Sequence, residues 1–497
     1  MMPKVLYISA SFFCDKEVQM NTRFIPILAM LSAIVLASLA CQAGGNQPAP
    51  ATPTQASEPT ATQETTKPTS TPRPTQPANE QPPTTAAFSN LACFGTTDQG
   101  IVCLTEQGWQ IYNTQNSQLE NDYINALATC PNGTLVAAHY DGISLFDGKE
   151  WESIPRGNYT TANALACDQQ GNLWVAHFRG VSRYDGNWTQ FNASELATGT
   201  SASDLVYDVG IAPDGKVWVV TSNSVASFED NAWTIYQEGQ GFDKKMFFKS
   251  LTFDTEGHPI VAHNDGISTF KDGKWTITKS SDFLSSAEDI AVDAQGRIWI
   301  GTITQGLYMI EKGKWKNLTF QNSDLSSNSI NNLSVDSQGR VWVATEYGLS
   351  VLTNDSWVVF RMDNSDLPVN DIRGVAILAD IPSLPALQEK PTGSITGQVK
   401  NEDGTPIANS DVEICVEILG STYFGATPCS DQPFYLTSKT DEQGKFSFEN
   451  VPPGYYTLVM KIGDQWAQLT GNIGFVSEQV LVNPGKTTEV GDITIKK

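Results

Sequence analysis

Positive charge is scarce in this sequence. Its 497 residues include 31 Lys and Arg against 54 Asp and Glu, with only 4 His, and the formal charge at pH 7 is −23. A protein that binds nucleic acid or an anionic membrane surface needs clustered cations to neutralise phosphate groups. We therefore expect neither as the main partner, and neutral or cationic ligands are easier to accommodate.

Short catalytic motifs are also absent. The sequence contains no Cys-x-x-Cys, Gly-x-Ser-x-Gly, His-Glu-x-x-His or phosphate-loop pattern, the spacings that place common nucleophiles, metal ligands and phosphate-binding amides. Between residues 88 and 378 there is no amphipathic pattern of helical length either. These absences favour an all-β protein that binds a ligand, with no catalytic residue, metal or cofactor predicted.

The N-terminus is typical of an exported chain. Residues 24–40 are apolar and uncharged, follow Arg23 and end in small residues before Cys41. This ending resembles a bacterial lipoprotein cleavage box, with Ser38 at the usual Leu position, and the resemblance implies lipidation of Cys41. We expect residues 1–41 to be a signal, translation to start at Met20, and the chain to be membrane-tethered on the extracytoplasmic side, at the cell surface or in the periplasm. The alternative is an uncleaved anchor, since 17 apolar residues are near the short limit for a membrane span.

Residues 42–87 predict a disordered stalk. From residue 46 to residue 87, 21 of 42 residues are Pro or Thr, a composition that cannot bury an apolar core. At about 3.1 Å per residue the stalk reaches roughly 130 Å, enough to hold the next domain away from a membrane.

Tryptophan recurs regularly after the stalk. The spacings between successive recurrent tryptophans are 42, 37, 45, 42, 40 and 42 residues. The recurrent residues are Trp109, Trp151, Trp188, Trp233, Trp275, Trp315 and Trp357. Ahead of each of the last six, a polar turn containing Gly separates apolar strands, as in residues 293–302 and 336–345. Four short strands, A to D, in about 40 to 45 residues are typical of a β-propeller blade.

The two ends of the repeat complete each other. Residues 90–112 align with strands B, C and D of a blade, whereas residues 370–378 align with strand A alone. One shared blade, which we number first, plus six intact blades predicts an all-β, seven-bladed propeller over residues 88–378. We expect strand sharing between its N- and C-terminal ends to close the ring.

Three elements of this unit resemble the two-component regulator propeller repeat. They are Asn-Ser-x-Leu before strand A, Gly-x-hydrophobic-Trp in strand B and Gly-hydrophobic-Ser in strand C, as at residues 322–325, 339–342 and 348–350. Propellers of that sensor family recognise extracellular ligands, often carbohydrates, and signal through a membrane to a kinase. Because no kinase-like segment follows here, the resemblance implies a stand-alone binding lipoprotein.

A second domain follows a proline-containing linker. The linker covers residues 379–393 and the domain covers residues 394–497, where alternating strands and turns predict a small transthyretin- or Ig-like β-sandwich. Residues 444–461 resemble part of a carboxypeptidase regulatory-like domain. The resemblance implies an accessory module of a secreted protein, without the peptidase.

An exported protein can form disulfides. We expect one between Cys415 and Cys429. Cys93 and Cys103 fall on adjacent strands of the first blade and form either a disulfide or two buried thiols. Two further cysteines near the ends of neighbouring strands A are expected to be unpaired: Cys130 and Cys167.

Candidate ligand-binding residues lie on the B–C turns, which emerge with the D–A loops on one face around the central channel. Three of the four histidines share one position there, in the second, third and fifth blades. They either converge on a metal or substrate, or cap strand B where other blades have Thr; we expect capping, because the channel separates them. The candidate residues are His139, Tyr140, Asp141, His177, Phe178, Arg179, Asn223, His263, Asn264, Asp265, Gln305, Glu346 and Tyr347.

Three functional hypotheses remain open. The first is a membrane-tethered ligand-binding or sensor-like protein that recognises a carbohydrate, peptide or protein. The second is a metal-dependent propeller lyase resembling streptogramin lyases, which requires one of the three histidines to approach Glu346. The third is a structural cell-surface scaffold, which predicts no deep pocket on the face that carries the B–C turns.

Overall fold

The computed structural model describes residues 90–155, 157, 161–196, 205–279, 287–379, 381–416, 427–469 and 479–495. The predicted signal, Cys41 and the stalk lie outside these residues. Within the described ranges, no helix is both long enough and apolar enough to span a bilayer.

Short strands make up nearly all of the regular structure between Asn90 and Ile377, where the described helix is the single turn α1 (Ala193–Leu196). The strands, in chain order, are β1 (Asn90–Thr96), β2 (Ile101–Thr105), β3 (Gly108–Tyr112), β4 (Ile124–Thr129), β5 (Leu135–His139), β6 (Gly142–Phe146), β7 (Trp151–Ile154), β8 (Ala162–Cys167), β9 (Leu173–His177), β10 (Gly180–Tyr184), β11 (Trp188–Asn192), β12 (Val206–Ile211), β13 (Val217–Thr221), β14 (Val225–Glu229), β15 (Ala232–Glu238), β16 (Gly241–Phe242), β17 (Phe248–Phe253), β18 (Pro259–His263), β19 (Gly266–Lys271), β20 (Lys274–Lys279), β21 (Ala287–Val292), β22 (Ile298–Thr302), β23 (Leu307–Glu311), β24 (Lys314–Leu318), β25 (Ile330–Val335), β26 (Val341–Thr345), β27 (Gly348–Thr353), β28 (Ser356–Phe360) and β29 (Ile372–Ile377).

These strands form seven sheets within the described residues, and the molecule is an all-β propeller. Six sheets follow the chain order A-B-C-D, the fourth blade having the extra strand β16 paired in parallel with β15. The first sheet has the order β29-β1-β2-β3, so its strand A comes from the other end of the repeat. Successive strands A contact one another, and β29 contacts β4, which places strand A of each blade next to the central channel.

An aspartate before strand B organises the A–B turn of the third, sixth and seventh blades. In the seventh blade, one carboxylate oxygen of Asp336 accepts the backbone N–H groups of Gln338 and Arg340, and the other accepts the indole N–H of Trp342 at 2.8 Å. Gly339 has a φ of 76° in this turn, a left-handed conformation that glycine adopts without strain. The recurrent Asp-x-x-Gly-x-x-Trp spacing is therefore a folding element, and its tryptophan is buried between blades.

The Asn-Ser-x-Leu element fixes the D–A loop. In the loop after β28, the side chain of Asn364 accepts the N–H of Arg361 and donates to the carbonyl of Val359, while Ser365 Oγ donates to the carbonyl of Arg361. Leu367 is buried under the loop. The residues that carry the family resemblance thus serve the fold, because they satisfy loop backbone groups and anchor the loop to the core.

Three disulfides form among the described residues. Cys93 pairs with Cys103 across β1 and β2, and Cys415 pairs with Cys429 in the C-terminal domain. The expectation of unpaired thiols in the second and third blades is wrong. The neighbouring innermost strands bring their ends together, and the Cα–Cα distance of 5.0 Å lies within the range of a disulfide. The bonded pair there is Cys130 and Cys167.

The segment after β29 is an ordered strap. We use this name for residues 381–391, which run from the A–B turn of the seventh blade to its D–A loop. At one end the carbonyl of Ile381 accepts hydrogen bonds from Gln338 and Arg340. At the other end Lys390 donates its backbone N–H to the carbonyl of Asp363 at 2.7 Å. The strap therefore returns the chain to the face of the propeller that carries the B–C turns.

The C-terminal domain is a two-sheet β-sandwich. Its sheets have the orders β33-β30-β37 and β32-β31-β34-β35, with β36 also paired to β34. Their strands are β30 (Gly393–Asn401), β31 (Asp411–Cys415), β32 (Tyr435–Lys439), β33 (Lys445–Val451), β34 (Gly454–Ile462), β35 (Gln465–Gln468), β36 (Val480–Val482) and β37 (Thr487–Ile495). Alternating buried residues of both sheets, such as Phe446 and Phe448 on β33, form the core between them.

A propeller residue completes this core. Tyr347, on the B–C turn of the seventh blade, is only 6% exposed and packs with Val451 and Tyr456 of the sandwich. The hydroxyl of Tyr456 donates to the carbonyl of Pro452 at 2.7 Å, so it accepts the hydrogen bond that it shares with Tyr347. Burial raises the pKa of Tyr347 to about 12. The sandwich is therefore seated on the seventh blade.

Candidate ligand-binding face

The three histidines end strand B in their blades and are buried. Each imidazole Nε2 lies 2.9 Å from the hydroxyl of a strand-C serine in the same blade. The pairs are His139 with Ser144, His177 with Ser182, and His263 with Ser268. Each imidazole is thus held within its own blade, and these contacts do not assemble a common site.

Hydrogen bonds fix the protonation of two of these rings. Nδ1 of His177 accepts the backbone N–H of Arg179, and Nδ1 of His263 accepts that of Asp265, both at 3.1 Å. Because Nδ1 accepts, Nε2 carries the proton and donates to the serine. Burial lowers the pKa of both histidines to about 4, with the charge of Arg179 a second cause for His177. With the lone pair and the proton both engaged, these rings are poorly suited to general-base catalysis.

Threonine performs the same task in other blades. Thr345 ends strand B of the seventh blade, donates to the carbonyl of Gly348 at 2.8 Å and accepts the N–H of Tyr347 at 3.1 Å. Thr302 and Thr96, which end strand B of the sixth and first blades, donate to turn carbonyls in the same way. This equivalence supports capping of strand B as the role of the histidines and argues against the lyase hypothesis.

The tips of the turns carry exposed aromatic rings. Tyr140 is 64% exposed in the second blade and Phe178 is 45% exposed in the third. Asp141, beside Tyr140, accepts a hydrogen bond of 2.7 Å from Asn121 on the adjacent D–A loop. Arg179, next to Phe178, is likewise exposed. The second and third blades therefore present ring surfaces next to polar groups.

Of the other candidate residues, some form hydrogen bonds within their own turns and others lie at the surface. Asn223 accepts from Thr221 at 3.2 Å, and the N–H of Gln305 donates to Thr302 at 2.9 Å, so both support their own turns. Asn264 accepts the N–H of Phe247 at 2.9 Å, while Asp265 forms an ion pair with Lys244. Glu346 lies at the seventh blade, within electrostatic reach of Arg373. Tyr347 was predicted to lie on the ligand-binding rim; that prediction is wrong, because the sandwich buries its ring.

Large exposed apolar side chains are concentrated on one face of the propeller. Among the described residues of the blades, those that are at least two-fifths exposed all lie on B–C turns or D–A loops, which we call the turn-bearing face. They are Tyr123, Tyr140, Phe178, Phe247 and Ile303. They occupy the second, third and sixth blades and the loops into the second and fifth. The sandwich covers a different sector, at the seventh blade.

The mouth of the channel carries residues that the sequence analysis did not single out. The second residue of each strand A is polar, and neighbouring blades interact through it: Lys249 Nζ lies 3.2 Å from Glu288 and 4.6 Å from the ring centre of Tyr207. Arg373 pairs with Asp371 at 2.7 Å. The ring of residues is Asn125, Asn163, Tyr207, Lys249, Glu288, Asn331 and Arg373. The sequence signal that could have identified this ring is a polar residue directly after the apolar residue that begins each strand A.

The next level along the channel contains two carboxylates. The hydroxyl of Ser250 lies between Asp208 and Asp289, at 3.2 Å from a carboxylate oxygen of each, and donates its one proton to either of them. Each also accepts a backbone N–H of the following blade, from Leu251 and Leu333, at 2.8 Å. Burial raises the pKa of Asp208 to about 6 and that of Asp289 to about 7, the charge of Asp208 being a second cause for Asp289. We call Asp208, Ser250 and Asp289 the channel triad.

A cavity of about 340 Å³ opens on the opposite face, between the third and fourth blades. It is lined by charged residues that include Asp168, Arg183 and Lys216. In the seventh blade, Arg340 pairs with Asp336 at 2.6 Å and lies over Trp342, whereas the equivalent residue of the third blade is the shorter Asn172. In the third blade, Arg183 of strand C lies over Trp174 instead, 5.8 Å from its ring centre.

The fold and this face define a β-propeller, and sequence comparison adds one family match. Residues 324–347, which lead into the seventh blade and include its strand B, match the family described as Two component regulator propeller. No curated protein matches the chain. The family match covers part of one repeat, strands A and B of the seventh blade.

Solved structures provide distant likenesses. The extracellular domain of BT4673 from B. thetaiotaomicron, described as part of a hybrid two component system, is 19% identical over 53% of this chain and 38% of that chain, with a TM-score of 0.41. The chain therefore spans well under half of that protein's structure. Virginiamycin B lyase from Staphylococcus aureus is 15% identical over 52% of this chain and 92% of that chain, with a TM-score of 0.42.

Proposed function

We propose that this protein is an exported, membrane-tethered binding protein that recognises carbohydrate on the turn-bearing face of its propeller. The observation that carries the proposal is the concentration of exposed aromatic rings on that face, next to amides and charged groups. Exposed apolar side chains grouped on one surface mark binding sites, because burying each ring against a ligand removes apolar area from water. Ring faces that pack on the C–H groups of a sugar, with polar neighbours for its hydroxyls, suit carbohydrate best.

Export and tethering rest on separate observations. The six described cysteines are all paired, which is typical of proteins that mature outside the reducing cytosol. The apolar segment before Cys41 and the Pro- and Thr-rich stalk supply a signal, a lipidation site and a spacer. The sandwich, which we propose to be of the carboxypeptidase regulatory-like type, rests on the turn-bearing face and bounds the open sector of the site.

The test is binding of the purified protein to an array of glycans. We expect Tyr140→Ala and Phe178→Ala to weaken binding of a glycan hit at least about five-fold each, since stacking on an aromatic ring contributes about 1 kcal/mol or more. Tyr435→Ala is the matched control, because Tyr435 is also an exposed aromatic residue but lies on the sandwich strand β32. Equal effects of all three substitutions, or an array without hits, would contradict carbohydrate recognition by this face.

A further inference from the structure

The loop into the fifth blade is anchored to the core at alternate points. Phe242, Met246 and Phe248 are buried, and the ring of Phe242 lies 4.9 Å from that of Phe248. The residues between these anchors, which include Lys244 and Lys245, are exposed. The loop therefore displays its charged side chains from a fixed backbone.

Phe247 is displayed by the same loop. Its N–H donates to the side-chain oxygen of Asn264 at 2.9 Å, and the N–H of Asn264 donates to its carbonyl at 3.1 Å. Despite these two bonds, the ring is 49% exposed. Exposed apolar side chains mark a binding surface where they are grouped, and Phe247 is one of the five such residues on the turn-bearing face.

One lysine lies over this ring, and others lie at the adjacent turn. Lys245 Nζ lies 5.4 Å from the ring centre of Phe247, and Lys244 pairs with Asp265 on the adjacent B–C turn. The hydrogen bond from Lys244 lowers the pKa of Asp265 on that turn, and the positive charge of Lys279 contributes to the same shift. Together with Lys249, the described residues of this corner include four lysines and three carboxylates, Asp243, Asp265 and Glu288, in a chain whose formal charge is −23. This local excess of positive charge departs from the composition of the chain.

We propose that this corner of the turn-bearing face, formed by Lys244, Lys245 and Phe247, selects saccharides that carry carboxylate or sulfate groups. The proposal rests on the carbohydrate-binding function proposed above and narrows its ligand class. A sugar ring packs on Phe247 while its anionic group accepts charge-assisted hydrogen bonds from Lys245 and Lys244.

The acidic composition of the chain does not oppose such binding. At physiological ionic strength the Debye length is about 8 Å, so the repulsion from distant carboxylates is largely screened. Contacts within the corner are closer than that distance and therefore decide the affinity. Binding through exposed lysines should also weaken as salt is added.

The experiment uses the full chain and an array of neutral, uronate-bearing and sulfated glycans, with affinities of the hits measured by calorimetry at low and high NaCl. We expect the hits to be acidic and their affinity to fall with salt. Lys245→Ala should weaken them about five-fold, as expected for the loss of about 1 kcal/mol from one partly exposed ionic contact. Lys274→Ala is the matched control, since Lys274 lies on the same blade at the opposite face; it should leave affinity unchanged. Comparing uronate with sulfate hits identifies the anionic group.

The possible outcomes distinguish failure of anion selection from failure of carbohydrate binding. Neutral hits that are lost in Phe178→Ala but unaffected by Lys245→Ala overturn anion selection and leave carbohydrate binding intact. Acidic hits with equal affinity in the Lys245→Ala and Lys274→Ala variants also overturn the assignment to this corner. An array without any hit contradicts both proposals.

Discussion

The channel triad makes the stability of the propeller depend on pH in a direction that can be measured. Burial raises the pKa of Asp289 from an ordinary 3.8 to about 7 and that of Asp208 to about 6. The folded state therefore binds more protons than the unfolded state between about pH 4 and pH 7. These two groups lower the free energy of unfolding as the pH rises through that window, and their full penalty is present above about pH 7.

Asp289→Asn removes the larger share of this penalty. A shift of roughly three pKa units corresponds to about 4 kcal/mol at pH 8, at 1.36 kcal/mol per unit. The substitution has a cost, because Asp289 accepts from Leu333 and Asn332 on one oxygen and from Ile290 on the other. An amide presents an oxygen on only one side, so about 1 to 2 kcal/mol of hydrogen bonding is lost. The net expectation is a gain of about 2 kcal/mol at pH 8.

The assay is urea denaturation at several pH values, followed by tryptophan fluorescence. The advantage of Asp289→Asn should shrink as the pH falls, disappear near pH 5 and become a small loss at pH 4, because the wild-type carboxyl is then protonated in the folded state and increasingly protonated in the unfolded state. Asp355→Asn, on an exposed C–D turn, is the control and should not change the pH profile. A variant that is destabilised equally at pH 8 and pH 5 would refute the reasoning that burial destabilises the ionised form of Asp289.

Three further predictions follow from the contacts described. His263→Thr should change the free energy of unfolding by less than about 1.5 kcal/mol and leave ligand affinity unchanged, because threonine caps strand B in other blades; a large loss of affinity in calorimetry would restore a direct role. Tyr347→Phe should cost about 1 kcal/mol and Tyr347→Ala about 3 kcal/mol in urea denaturation, through one hydrogen bond and a cavity respectively, and equal costs would contradict its place in the sandwich core. Replacing Cys130 and Cys167 together by Ser should lower stability by about 2 to 4 kcal/mol, and an unchanged thermal midpoint under oxidising conditions would show that the bond is not formed.

Much of the fold could be predicted from the sequence because every blade repeats the same interactions between residues that are close in sequence. Gly339 and Trp342 recur at equivalent positions since each A–B turn has the same backbone path, and any one blade predicts the others. The position of the sandwich could not be predicted, because it depends on how the strap returns the chain across the seventh blade. Tyr347 and Tyr140 both lie on B–C turns, so the repeat pattern treats them alike. The sandwich nevertheless buries Tyr347, whereas Tyr140 remains exposed.

The candidate site was predicted less well than the fold. The turns that carry Phe178 and Asp265 were found by aligning blades, since their position follows from the repeat. The pairing of Lys249 with Glu288 was missed because it joins two blades, and no spacing within one repeat encodes it. Residues that differ between blades form this part of the molecule, and a repeat pattern carries no information about them.

The pairing of β29 with β1 has a mechanical consequence. The described chain enters the propeller at β1, which is hydrogen-bonded on both sides, to β29 and to β2, and the Cys93–Cys103 disulfide ties it covalently to β2. A pull on the preceding segment along this strand loads two rows of hydrogen bonds in shear, whereas a strand at the edge of a sheet would peel away one bond at a time. A protein held by its N-terminal segment while its ligand is pulled by flow or by a moving surface would thus resist detachment at the point where the tension enters.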